Sequence, residues 1–91
     1  MRQLADNGGV NEQIREVIAD HARLPGGVES LSDDANLYEA GMSSHASVNV
    51  MLALEDHFDV EFPDRMLKRS VFESIAAIAE AISELRAQAA V

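Results

Sequence analysis

Apolar residues recur at helical spacing in three stretches of this chain. Ile14, Val17 and Ile18 form the first stripe, three and four residues apart as one face of a helix requires. Asn11 and Glu12 stand before it as N-cap and first-turn acid, so the spacing predicts a helix that starts after Asn11 and ends near Leu24, ahead of Pro25-Gly26-Gly27. The second helix should run from about Ser44 to Asp59. At about 100° per residue, Val48, Val50, Met51, Leu52, Leu54 and Phe58 cover more than half of its circumference, which predicts several packing neighbours and a narrow outer strip. On that strip fall His45, Ala46, Asn49, Ala53 and Asp56. Phe72, Ile75, Ile78, Ile82 and Leu85 define the third helix, with Ser70 and Glu73 as an S-x-x-E capping box and alanines, strong helix formers, filling much of the rest.

The intervening segments read differently. Residues 25–42 are rich in Gly, Ser, Asp and Asn, with Leu31, Leu37, Tyr38 and Met42 as scattered apolar residues. So long a connection in a compact domain is either functional or pinned, and both are expected here. In "DVEFPD", Pro63 pushes Phe62 toward an extended conformation, and a short helical turn should follow, starting near Asp64 and burying Met66 and Leu67. Strand-like alternation never lasts beyond three residues. The sum is an all-α bundle of three main helices plus one short helix, with a long loop between the first and second. Residues 10–86 make the domain, 1–9 a flexible N-terminal segment and 87–91 a frayed tail.

Composition narrows the function. A chain of 91 residues is one domain that buries about 60–70% of its unfolded surface, enough for a core but not for a deep enclosed active site. It contains no cysteine, which removes disulfides, thiolate metal sites and cysteine nucleophiles. Neither an apolar run long enough to span a membrane nor a secretory signal is present, so a soluble, cytoplasmic protein is expected. Sixteen acidic residues against seven basic give a net charge of −9, which disfavours nucleic acid and favours partners with basic surfaces.

The chemistry, if any, lies in Ser43-Ser44-His45. Adjacent helical residues point about 100° apart, so Ser44 and His45 do not face each other, and there is no G-x-S-x-G elbow, orienting third group or oxyanion hole. No catalytic residue is assigned. His21, His45 and His57 fit no metal-binding spacing, and the Asp33-Asp34 and Glu55-Asp56 pairs lack the glycine pattern of a calcium loop. In the bland reading Ser43 caps the second helix and Ser44 occupies its first turn, on a small acidic helical adaptor. That does not explain a long loop delivering a bare hydroxyl to a helix start. A phosphate esterified to Ser44 would meet the positive end of the helix, a contribution of about 0.3–1 kcal/mol.

The stretch "NLYEAGMSSHASVNVMLALEDHFDVEFPD" resembles the acyl carrier protein signature. In that family a leucine-containing loop leads through glycine to a phosphopantetheine-bearing serine, and a helix follows that ends in a Phe-Asp-x-x-hydrophobic-Pro-Asp junction. Gly41, Ser44, Val48, Leu54, Glu55, Phe58, Asp59, Pro63 and Asp64 stand where the pattern places them, and the similarity extends from Asn11 to about Leu85. The resemblance implies a non-catalytic carrier: a phosphopantetheinyl transferase moves phosphopantetheine from coenzyme A to Ser44, and the thiol of the arm holds a cargo as a thioester.

Two departures narrow it further. Ser43-Ser44-His45 replaces the family's usual Asp-Ser-Leu, and the second helix is not acidic until Glu55 and Asp56. A partner gripping Ser43, His45, Ala46, Asn49, Ala53 and Asp56 would use shape and hydrogen bonds more than basic residues. The variant site is most similar to stand-alone bacterial carriers of amino acids. That resemblance implies an ATP-dependent ligase, similar to the catalytic core of a class II seryl-tRNA synthetase, that charges the arm with glycine or alanine for an unknown downstream acceptor. The alternatives within the class are a specialised fatty-acid or polyketide carrier and a free-standing peptidyl carrier. A monomer is expected. Met42, Met51, Leu52, Phe62, Met66 and Ile75 read as ordinary core rather than an acyl pocket, and Arg65, Lys68 and Arg69 as partners of the acidic second helix.

Overall fold

Two hydroxyl caps and one left-handed residue set the main boundaries of the fold. In the computed structural model, which describes the backbone of residues 5–89 and the side chains of residues 9–88, the helices are α1 (Ala5–His21), α2 (Ser44–Phe58) and α3 (Ile75–Ala89). Two 3₁₀ turns, Asp64–Met66 and Arg69–Val71, lie between α2 and α3. No strand occurs among the described residues.

Ser43 Oγ accepts a hydrogen bond from the Ala46 amide at 3.0 Å and so starts α2. Asp59 ends it at φ 56°, the left-handed conformation more often given to glycine, and the Val60 amide donates back to the Glu55 carbonyl at 3.1 Å. α3 is capped by Ser74, whose Oγ accepts from the Ala77 amide at 3.0 Å. The Ser70–Glu73 capping box therefore does not form. Ser70 lies inside the second 3₁₀ turn, and Phe72 packs edge-on against Phe62 at 5.2 Å instead of opening the helix.

Asn11 is likewise not a cap. α1 is already helical from Ala5, and the Asn11 side chain donates to Asp33 Oδ2 at 2.9 Å. Residues 5–9 of the segment expected to be flexible are thus helical, and 1–4 lie outside the described residues. In the expected tail, 87–89 continue α3, and 90–91 lie outside. At its other end α1 stops at His21, with Arg23 in the left-handed region at φ 52°.

The core is one cluster. Ile14, Val17 and Ile18 of α1 face Val50 and Leu54 of α2 and Ile75, Ile78, Ile82 and Leu85 of α3. α1 packs against both other helices, whereas α2 and α3 meet less closely and flank the segment that contributes Phe62, Met66 and Phe72. Burying each large aliphatic side chain contributes about 1.5–3 kcal/mol, so these stripes hold the bundle together.

The long loop is pinned, as expected. Leu24, Val28, Leu37 and Met42 are buried, with Leu31, Tyr38 and Ala40 packed against the same core. Polar ties supplement them: Arg15 donates to Val28 O at 2.8 Å and to Asp33 Oδ1 at 2.7 Å, while the Leu37 amide donates to Glu73 O at 2.7 Å. Gly41, at φ 119°, closes the loop against its own beginning, where an added Cβ would lie 2.7 Å from Pro25 Cδ.

Three packing expectations are corrected. Val48 and Leu52 are 50% and 53% exposed, because α1 and the loop cover only one side of α2. Leu67 is 47% exposed; the tight 3₁₀ turn buries Met66 and turns the next residue outward. The basic cluster does not pair with α2. Arg65 Nη1 meets Glu84 Oε2 of α3 at 3.2 Å, and the Arg69 guanidinium lies 3.9 Å from the centre of the Tyr38 ring.

Candidate functional site

A buried methionine fixes the chain just before the serines. Glu39 N–H bonds Asn36 Oδ1, Gly41 N–H bonds Tyr38 O, and Met42 N–H bonds Leu37 O, so residues 36–42 form a run of tight turns. Met42, 3% exposed, plugs the core, and Ser43 and Ser44 follow it into solvent. Four residues past the cap-bonded Ala46, one helical turn on, Val50 is fully buried with Val48 and Asn49 outside. The start of α2 is thus held from both sides while its hydroxyls stay accessible.

The two serines divide the work. The Ser43 hydroxyl is engaged in the cap. Ser44 is the first helical residue and exposed; its carbonyl accepts from Ser47 Oγ at 2.7 Å, and because Ser43 makes the cap bond, the Ser44 hydroxyl is free of the capping role. A hydroxyl there adjoins unpaired helix N–H groups, an environment suited to a phosphate ester.

Of the expected partner residues, Ser43, His45, Asn49 and Asp56 are exposed. Ala46 and Ala53 are half-buried and pack against the core at the edge of the strip. Their place on the outer face is taken by Val48 and Leu52, which the sequence reading assigned to the interior. Helical spacing carries no signal for this: an all-round apolar helix needs neighbours on every side, and the fold supplies them to α2 mainly from one. The outer face thus runs from Ser44 through Val48, His45, Asn49 and Leu52 to Asp56. It ends at an open cleft of about 780 Å³ lined in part by Leu52, Glu55, Asp56, Asp59, Glu61 and Leu85, where the acidic residues gather.

The histidines are dispersed. His21 ends α1, His45 is on the outer face of α2, and His57 Nε2 shares a 2.6 Å hydrogen bond with Gln13 Oε1 across to α1. Among the described residues no group of three or more His, Asp or Glu side chains is placed to hold a metal ion.

A second open cleft, of about 340 Å³, begins at Ser44 itself. Its walls are largely apolar, from Val48, Met51, Leu67, Phe72 and Tyr38, with Lys68 and Arg69 on its border. A phosphate on Ser44 followed by an uncharged chain matches this distribution, so the residues present fit a phosphopantetheine.

An exposed serine starting the second helix of a three-helix bundle, reached through a pinned loop, is the arrangement of a prosthetic-group carrier. The chain belongs to the phosphopantetheine-binding carrier family: the family model described as "Phosphopantetheine attachment site" matches residues 12–82. Among its relatives is the aminoacyl carrier protein of Agrobacterium fabrum, 48% identical over 73 residues that span 80% of this chain and 88% of that one. In the crystal structure of an engineered Bradyrhizobium japonicum glycine:carrier protein ligase complexed with carrier protein from Agrobacterium tumefaciens and ATP, one chain superposes with a TM-score of 0.80. It is 47% identical, over 82% of this chain and 97% of that one. A solution structure from Agrobacterium tumefaciens matches at 45% identity with a TM-score of 0.69, covering 89% and 99%. The prosthetic group of the family is a covalent phosphopantetheine, and the protein is a carrier acted on by enzymes rather than a catalyst.

Proposed function

We propose that this protein carries an amino acid, glycine or alanine, on a phosphopantetheine arm attached to Ser44. The observation that carries the assignment is the division of labour between the serines: Ser43 Oγ is bonded to the Ala46 amide at 3.0 Å, while the neighbouring hydroxyl is exposed and uncommitted to the cap. A phosphopantetheinyl transferase, using coenzyme A, makes the attachment. Once bound, the group supplies a terminal thiol that holds the cargo as a thioester.

The chain's own contribution is presentation. Met42 and Val50 anchor the start of α2, and the helix N-terminus stabilises an attached phosphodiester. The 48% identity to an aminoacyl carrier protein supports an amino acid as cargo. Core packing agrees with a small cargo, since Met42, Phe62, Met66 and Ile75 are each at most 5% exposed and pack in the core cluster. The charging enzyme is an ATP-dependent amino acid:carrier-protein ligase resembling a class II seryl-tRNA synthetase core. It recognises the outer face of α2 around Ser43, His45, Val48, Asn49 and Leu52, where carboxylates are absent, through shape and hydrogen bonds. The protein acts as a cytoplasmic monomer; no helix among the described residues is long and apolar enough to cross a membrane.

The test is to incubate the phosphopantetheinylated protein with ATP, such a ligase and each amino acid separately, and to read intact mass. A gain equal to one glycyl or alanyl residue, reversed by hydroxylamine, is the expected result. Loading by a fatty-acyl or polyketide enzyme, with no amino acid accepted, overturns it.

A further inference from the structure

Val48 and Leu67, two of the three large hydrophobic side chains that are strongly exposed among the described residues, line the same cleft, the one that opens at Ser44. The chain carries net charge −9, yet the ionic groups bordering this cleft are both cations, Lys68 and Arg69. Their charge is not neutralised nearby. The Arg69 guanidinium carbon sits 3.9 Å from the centre of the uncharged Tyr38 ring, and neither Arg69 nor Lys68 is in an ion pair among the described residues; Arg65, by contrast, is paired with Glu84. The acidic residues of α2 gather at its opposite end.

We propose that this cleft is the resting site of the phosphopantetheine arm, with Lys68 and Arg69 facing its phosphodiester and Val48, Met51 and Leu67 covering its branched apolar section. The inference rests on attachment at Ser44 and adds where the arm lies between visits to enzymes. Three properties select this occupant. The arm is tethered at the rim of the cleft. Its anion is the group nearest the tether, as the cations require. The uncharged methyl-bearing chain after it suits a largely apolar wall. Arg69 is held over the Tyr38 ring, which takes none of its charge, and its guanidinium is in no ion pair among the described residues, so it is available to an anion.

The test compares amide spectra of ¹⁵N-labelled protein without and with the attached group, whose presence is established by intact mass. Shifts at Val48, Met51, Leu67 and Arg69 as well as at Ser43–His45 are expected. In the Lys68→Gln/Arg69→Gln double variant the shifts at Val48 and Leu67 should fall at least twofold, while those at Ser43–His45 persist. Lys68→Gln alone, at an exposed side chain, supplies the same comparison should loss of the Arg69–Tyr38 stack disturb the loop. A wild-type spectrum perturbed only at 43–45, or cleft shifts indifferent to both variants, overturns the resting site and leaves Ser44 attachment intact. Absence of any mass gain removes Ser44 attachment, and the resting site with it.

Discussion

The backbone carbonyl of Asp33 accepts a hydrogen bond from the Ala76 amide at 2.9 Å, tying the middle of the long loop to the first turn of α3. The Asp33 carboxylate meanwhile holds Arg15 and Asn11 of α1. One residue thus joins α1, the loop and α3, and through them it fixes the platform that presents Ser44.

Asp33→Ala should destabilise the fold by about 1–2 kcal/mol, the lower part of the range for charge-assisted bonds because the carboxylate is 45% exposed. Urea denaturation checks it. Part of the loss should disappear in high salt, where the wild-type pair is screened. The Asp33–Ala76 backbone bond survives the substitution, so the loop stays in place.

Gly41→Ala meets two obstacles, a φ of 119° and a contact of 2.7 Å with Pro25 Cδ. A loss of about 1–3 kcal/mol is expected. Adding Pro25→Ala removes the ring atoms but not the backbone strain, so the double variant should regain part of the loss and no more. Thermal midpoints of the three variants measure the division.

Leu52 and Leu54 are two residues apart and should behave as different classes. Leu54 is fully buried, and Leu54→Ala should cost about 2–5 kcal/mol. Leu52 is 53% exposed, and Leu52→Ala should change stability by no more than about 0.5 kcal/mol while lowering the rate of charging by the ligase. Denaturation curves read beside loading rates separate the two effects.

Much of this was legible because helical spacing is a local property. The stripes of α1 and α3, the limits of α2 and the Gly41-to-Pro63 spacing all depend on neighbours in sequence. What escaped depended on the rest of the fold. Val48 and Leu52 were placed inside because an apolar residue on a helix does not say how many neighbours the helix has. Ser70 and Glu73 satisfied a capping pattern, but Leu37 takes the Glu73 carbonyl and Phe72 turns toward Phe62, so the helix starts later, at Ser74. Asn11 looked like a cap because its real partner, Asp33, is 22 residues away. Arg69 was matched to the wrong charges, since nothing in sequence brings it to Tyr38.

That correction is itself testable. Ser74→Ala removes the bond to the Ala77 amide and should cost about 1 kcal/mol, whereas Ser70→Ala, at an exposed position in a 3₁₀ turn, should be nearly neutral. Were the S-x-x-E box the true cap, the order would be reversed.

The central claim is that adjacent serines have separate duties, Ser43 for the fold and Ser44 for the cargo arm. The most direct measurement is intact mass after incubation with coenzyme A and a broad-specificity phosphopantetheinyl transferase, made on wild type, Ser43→Ala and Ser44→Ala. The account predicts a gain of one phosphopantetheine in wild type and in Ser43→Ala, the latter less stable by about 1 kcal/mol for want of its cap. It predicts no gain in a Ser44→Ala protein that unfolds at the wild-type temperature. A phosphopantetheine on Ser44→Ala, or none on folded wild type with several transferases, would contradict it.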